Sequence, residues 1–95
     1  MRIDKFLSSV NILKRRSIAQ DMCDNGVVSV NGVKAKSSKE VKIGDIISLQ
    51  YLQYTKTYEI LALPATKTIP KSYSKEYFKE MSQSHNNEVG TPQTP

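Results

Sequence analysis

The 95-residue chain has no tryptophan, one cysteine and one histidine, and these scarcities exclude several kinds of chemistry. A lone Cys23 cannot close an intramolecular disulfide. One Cys with one His cannot assemble a closed tetrahedral zinc site either, so no metal site is expected. Domains of this size often lean on such staples, yet with 38% hydrophobic residues this chain has to close one small core without them. The missing disulfide points to a reducing, cytoplasmic compartment. Charges fall within Met1-Arg2-Ile3-Asp4-Lys5-Phe6-Leu7 and no long apolar run follows, so the start reads as neither a signal peptide nor a spanning helix.

Residues for catalysis are equally scarce. General acid-base work at neutral pH recruits His or a buried carboxylate pair, and the single histidine, His85, lies in a polar tail. Cys23 sits at helical spacing with Ile18, Ala19 and Met22, which marks it as core rather than nucleophile. No glycine-rich phosphate loop, dinucleotide fingerprint or C-x-x-C pair occurs. The expectation is a protein that is not an enzyme, with no catalytic residue and no cofactor.

What is present is positive charge and a change of period. Ile3, Phe6, Leu7 and Val10 fall at i, i+3, i+4 and i+7, one face of a helix. A second helix follows over Ile18, Ala19, Met22 and Cys23, starting at Arg15 or Arg16. Ser17 and Gln20 have the spacing of a capping box, and Asn25-Gly26 is the stop. From Val27 the period becomes two: Val27–Val30 and Val33–Ala35 flank Asn31-Gly32, a tight hairpin signal. Val41-Lys42-Ile43-Gly44-Asp45 turns into a strand over Ile46–Leu52. Tyr58–Leu63 returns antiparallel to it after a Gln53–Thr57 loop. Pro64 and Pro70 bracket a linker, Tyr73, Tyr77, Phe78 and Met81 suggest a short C-terminal helix capped by Ser72, and 82–95 has too little to bury and reads as disordered.

The charge is concentrated in one half. Residues 1–50 carry nine Lys/Arg against five Asp/Glu, whereas 51–95 carry five against four. Lys14-Arg15-Arg16 lies at the start of the second helix, where backbone N–H groups and cations can converge on phosphate. A solvated face is the plainer explanation of such a triplet. Cations beside a helix N-terminus, however, oppose the helix dipole, a cost that a bound phosphate would remove. Arg2 and Lys5 extend the surface from the first helix, and Lys34 and Lys36 border it from the hairpin. Of the aromatic residues, Tyr54 in the predicted loop is best placed to stack on a base, while Tyr73, Tyr77 and Phe78 would dock the last helix.

The order Arg2-Ile3-Asp4-Lys5-Phe6-Leu7, Lys14-Arg15-Arg16-Ser17-Ile18-Ala19, Gly26-Val27-Val28-Ser29-Val30-Asn31-Gly32 and Val41-Lys42-Ile43-Gly44-Asp45-Ile46-Ile47 closely resembles the S4-type RNA-binding domain, whose RNA-binding core is the αL motif. The resemblance covers residues 1–50. It implies an α+β fold, with two N-terminal helices packed on a small, twisted, mostly antiparallel sheet. The domain would run over 1–63, followed by 64–81 as linker with the short C-terminal helix and by 82–95 as tail. By the same resemblance Arg2, Lys5 and Arg16 contact RNA, Lys14 and Arg15 reinforce them, and Asp4 orients a basic neighbour. Two positions depart from the family pattern: Val33 stands where members often carry a basic residue, and Arg15 where many have a small hydroxyl cap.

Among family members the chain is most similar to the small stand-alone proteins of ribosome quality control, and next to the fifteen-kilodalton heat-shock proteins. The first likeness implies binding to ribosomal RNA and P-site peptidyl-tRNA on stalled large subunits, support of C-terminal tailing of the nascent chain together with a tailing factor, and a monomer without membrane contact. The second implies large-subunit recycling or assembly. A different class of function, a protein-interaction adaptor docking through the Tyr-rich C-terminal half, is the alternative.

Overall fold

The computed structural model describes residues 1–65 and 69–81. Helix α1 (Ile3–Ser9) and helix α2 (Arg16–Asp24) precede strands β1 (Val28–Val30), β2 (Val33–Lys34), β3 (Ile46–Gln50) and β4 (Thr55–Ile60), helix α3 (Lys71–Ser74) and strand β5 (Phe78–Glu80). The strands form one antiparallel sheet in the order β2-β1-β3-β4-β5. The α+β arrangement expected from the sequence is therefore present, and β5 extends its sheet by an edge strand. Among the described residues no helix is long and apolar enough to cross a membrane.

The periodicities explain the packing. Ile3, Phe6, Leu7 and Val10 are fully buried, and alternate strand residues Val28, Val30, Ile47, Leu49, Tyr58 and Ile60 face them to close the core. Helix α2 contributes only Ala19 and Cys23 to the buried set. Ile18, predicted on the same face, is 39% exposed. The chain reverses between α1 and α2 at Asn11, whose positive φ of 65° follows the helix stop, and whose amide donates to the Ile69 carbonyl.

The β1–β2 and β3 segments are tied by a polar knot. Asn31 (φ 52°) and Gly32 (φ 85°) form the tight turn, both in the left-handed region it demands. Asn31 Oδ1 accepts from the Ile46 N–H at 2.9 Å, and Asn31 Nδ2 donates to Asp45 Oδ1 at 3.2 Å. The other oxygen of the buried Asp45 accepts from the Lys42 N–H at 3.0 Å. The two sequence signals, Asn-Gly and Gly-Asp, are thus halves of a single hydrogen-bonded junction that sets the β1–β3 register.

Several boundaries differ from expectation. The β3–β4 loop is the tight turn 51–54, closed by the Tyr51 N–H donating to the Tyr54 carbonyl at 2.8 Å. Strand β4 therefore starts at Thr55, three residues early, because ladder pairing with Leu49 and Gln50 outweighs the polar character of Thr55–Thr57. The C-terminal helix is present but lasts one turn, Lys71–Ser74. Its spacing does not continue through Tyr77, Phe78 and Met81, since Phe78–Glu80 pair with β4 as a strand. Ser72 lies inside that turn and Pro70 takes the cap position. Phe78 packs edge-on against Tyr58, with ring centroids 5.3 Å apart, and Tyr77 also packs against the core, whereas Tyr73 is exposed. The tail expected over 82–95, with His85, lies outside the described residues.

Asp45→Ala orphans two donors at the junction and is expected to cost about 2 kcal/mol. Urea unfolding checks it, and a variant as stable as the parent would remove this knot as a determinant of the fold.

Candidate nucleic-acid interface

Asp4, fourth in the chain, is fully buried at the start of α1. A bare carboxylate there would be costly, and four donors surround it. The Lys5 N–H donates to Oδ1 at 2.7 Å, and Gln20 Nε2 donates to Oδ2 at 3.0 Å. Arg2 Nη2 and Arg16 Nε both stand 3.3 Å from Oδ2. Burial alone would raise the carboxyl pKa. The hydrogen bonds from Gln20, Arg16 and Lys5, with the Arg16 charge, more than offset it and hold Asp4 below the usual carboxylate value.

Both arginines remain open to solvent on their far sides, Arg2 at 42% and Arg16 at 44% side-chain exposure. Arg16 meets Asp4 through Nε, which leaves its two terminal amino groups turned away from the carboxylate and able to form a fork toward a phosphate. Arg16 is also the first residue of α2, and Arg15 before it caps the helix with extended backbone and no side-chain hydrogen bond. The helix starts one residue ahead of Ser17, so the capping box does not form, and Gln20 turns instead toward Asp4. The first amides of α2 thus lie beside Arg16 without a side-chain acceptor.

The other expected site residues are distributed around this clamp. Lys14 and Arg15 are exposed on the approach to α2, and Lys5 is half-buried on α1. Lys36 opens a loop whose backbone is fastened to the start of α1: the Ile3 N–H donates to the Lys39 carbonyl at 2.8 Å and the Asp4 N–H to the Ser37 carbonyl at 3.4 Å. Lys34 lies apart from the clamp. Its Nζ sits 3.5 Å from where a Cβ on Gly26 would be, at the C-terminal end of α2, roughly 13 Å along the helix from Arg16. There it complements the helix dipole. Sequence reasoning missed Gln20, whose only signal is its position one turn after Arg16, and it left Lys39 and Lys42 as plain loop residues.

Other candidate groups are occupied. Burial pushes the Cys23 thiol up to about 11, with the Asp4 and Asp24 charges adding to it, so the thiolate is scarce at neutral pH. Tyr54 packs on Tyr51 with centroids 4.9 Å apart, and Lys56 lies 5.8 Å from its ring.

Comparison with known proteins gives the same frame. The S4 domain family matches residues 1–47. The RQC P-site tRNA stabilizing factor of Helicobacter pylori strain 26695 is 58% identical over 71 residues, which cover 75% of this chain and 84% of that protein. The Bacillus subtilis protein of the same name is 39% identical over 66 residues, 70% and 77% of the two chains. The trimeric structure of Vibrio cholerae heat shock protein 15 superposes with a TM-score of 0.76 at 31% identity, covering 86% of this chain and 82% of that one.

The lowered Asp4 pKa carries a sign. Its stabilisation is fully present above the ordinary carboxylate value of about 4 and is lost as pH falls through the lower folded value. Asp4→Asn is expected to cost about 1–2 kcal/mol at neutral pH. Urea midpoints taken down the acid limb should show the gap between parent and variant closing below about pH 4. A gap independent of pH would contradict an ionised Asp4 in the folded state.

Proposed function

The chain belongs to the S4-domain family that includes the RQC P-site tRNA stabilizing factors, and from that premise we propose that it is a non-catalytic, cytoplasmic RNA-binding protein of ribosome quality control. Its targets are ribosomal RNA and the P-site peptidyl-tRNA on a stalled large subunit. The observation that carries the reading is the Asp4-held pair Arg2 and Arg16 at the open start of α2. Two guanidiniums fixed by one buried carboxylate need little further ordering when they meet phosphate oxygens. Lys5, Lys14 and Arg15 supply surrounding positive charge and Lys36 extends it along the fastened loop, while Lys34 contributes from the far end of α2.

Held in this way, the protein would keep the peptidyl-tRNA in place while a tailing factor extends the nascent chain at its C-terminus, and it would act as a monomer. The likeness to heat shock protein 15 supports a second reading, recycling or assembly of the large subunit through the same surface. The adaptor reading has less in its favour, because Tyr58, Tyr77 and Phe78 are spent on the protein's own sheet.

Arg16→Ala should weaken binding to a tRNA transcript roughly tenfold or more while leaving the circular dichroism spectrum unchanged, and Arg16→Lys should restore only part of it. Sedimentation of the tagged protein from stalled cells tests the target: enrichment on free large subunits carrying tRNA is expected. Its presence only at the top of the gradient would contradict the ribosomal assignment.

A further inference from the structure

A groove of about 830 Å³ runs between β2 and the loop that leads to β3, lined by Lys34, Lys36, Lys39 and Lys42 over an apolar floor that includes Ala35 and Val41. All four lysines are exposed, and none forms a salt bridge among the described residues. The groove's two carboxylates are already engaged: Glu40 pairs with the Met1 ammonium at 2.9 Å, and the buried Asp45 accepts from Asn31 and the Lys42 N–H. The Lys34 ammonium reaches toward Gly26 at the end of α2, so Lys36, Lys39 and Lys42 are the cations left to the concavity, with little counter-charge.

The groove's loop is fastened to the segment that carries the arginine clamp. The Lys39 and Ser37 carbonyls accept from the first amides of α1, and the backbones of Arg2 and Glu40 pair as an isolated antiparallel β-bridge. Lys39 and Lys42 thus extend the basic surface beyond Arg2.

We propose that this groove is a second contact for an RNA phosphodiester backbone, so that the protein holds RNA at two joined places of different character. The inference rests on the RNA-binding reading above. At the clamp, Asp4 fixes the two guanidiniums and geometry is selective. In the groove the lysines are long, exposed and without a salt bridge among the described residues, which suits backbone neutralisation with counterion release and little selectivity. Val33, 68% exposed at the rim, offers an apolar face to a ribose or base beside the phosphates.

The test titrates the full chain with a tRNA transcript across a series of salt concentrations. The double variant Lys39→Gln with Lys42→Gln should bind roughly tenfold more weakly at low salt, and the slope of log affinity against log salt should fall by about one to two. The double variant Lys39→Arg with Lys42→Arg keeps the charge and should match the parent. If the Gln pair binds like the parent while Arg16→Ala is weakened, the groove contact is overturned and the clamp stands. If Arg16→Ala is also unaffected, the RNA reading beneath both fails. A Gln pair that keeps its tRNA affinity but loses retention on poly-glutamate overturns the proposal by assigning the groove to an acidic protein.

Discussion

The buried carboxylate of Asp4 is the constraint around which the N-terminal half is organised. It draws on donors from three sources: Arg2 ahead of α1, the Lys5 amide within it, and Arg16 and Gln20 on α2. Beside a pair of half-solvated guanidiniums, the carboxylate joins the two helices and aims their cations in one step. Its burial also explains why the start of α1 is fastened so closely to the loop at Ser37 and Lys39. An ion in a low-dielectric site tolerates little loss of its partners.

The sheet solves a different problem. With no disulfide or metal, register has to come from side-chain and backbone hydrogen bonds, and the Asn31–Asp45 junction supplies them where β1, β2 and the entry to β3 meet. The apolar residues of α1 then pack across the inner face of β1, β3 and β4. The same junction contributes to the wall of the lysine groove, which Asn31 and Asp45 help line.

Much of this was legible in the sequence. The helical spacing of Ile3, Phe6, Leu7 and Val10 and the Asn31-Gly32 turn are local signals, and both elements stand where those signals put them. The basic start of α2 was readable as well, and so was the tie between Asp4 and a neighbouring cation, through the family resemblance. What escaped was set by tertiary contacts. Ile18 fits the apolar stripe of α2, yet only Ala19 and Cys23 of that helix are buried. Tyr77 and Phe78 carry helical spacing with Tyr73, but a free β4 edge claims Phe78–Glu80 as a strand. Gln20 looked like half of a capping box because nothing local reveals a carboxylate sixteen residues earlier. Lys39 and Lys42 looked like solvated loop because the groove exists only once that loop is pinned to α1.

The central claim is that Asp4 serves RNA binding by holding Arg2 and Arg16. A double-mutant cycle on tRNA affinity measures it directly: Asp4→Asn is introduced into the parent and into a background carrying Arg2→Ala and Arg16→Ala. Asp4→Asn should weaken binding in the parent and have no further effect once both arginines are gone. An equal loss in both backgrounds would contradict the clamp, because Asp4 would then act on RNA binding by a route that bypasses the two guanidiniums.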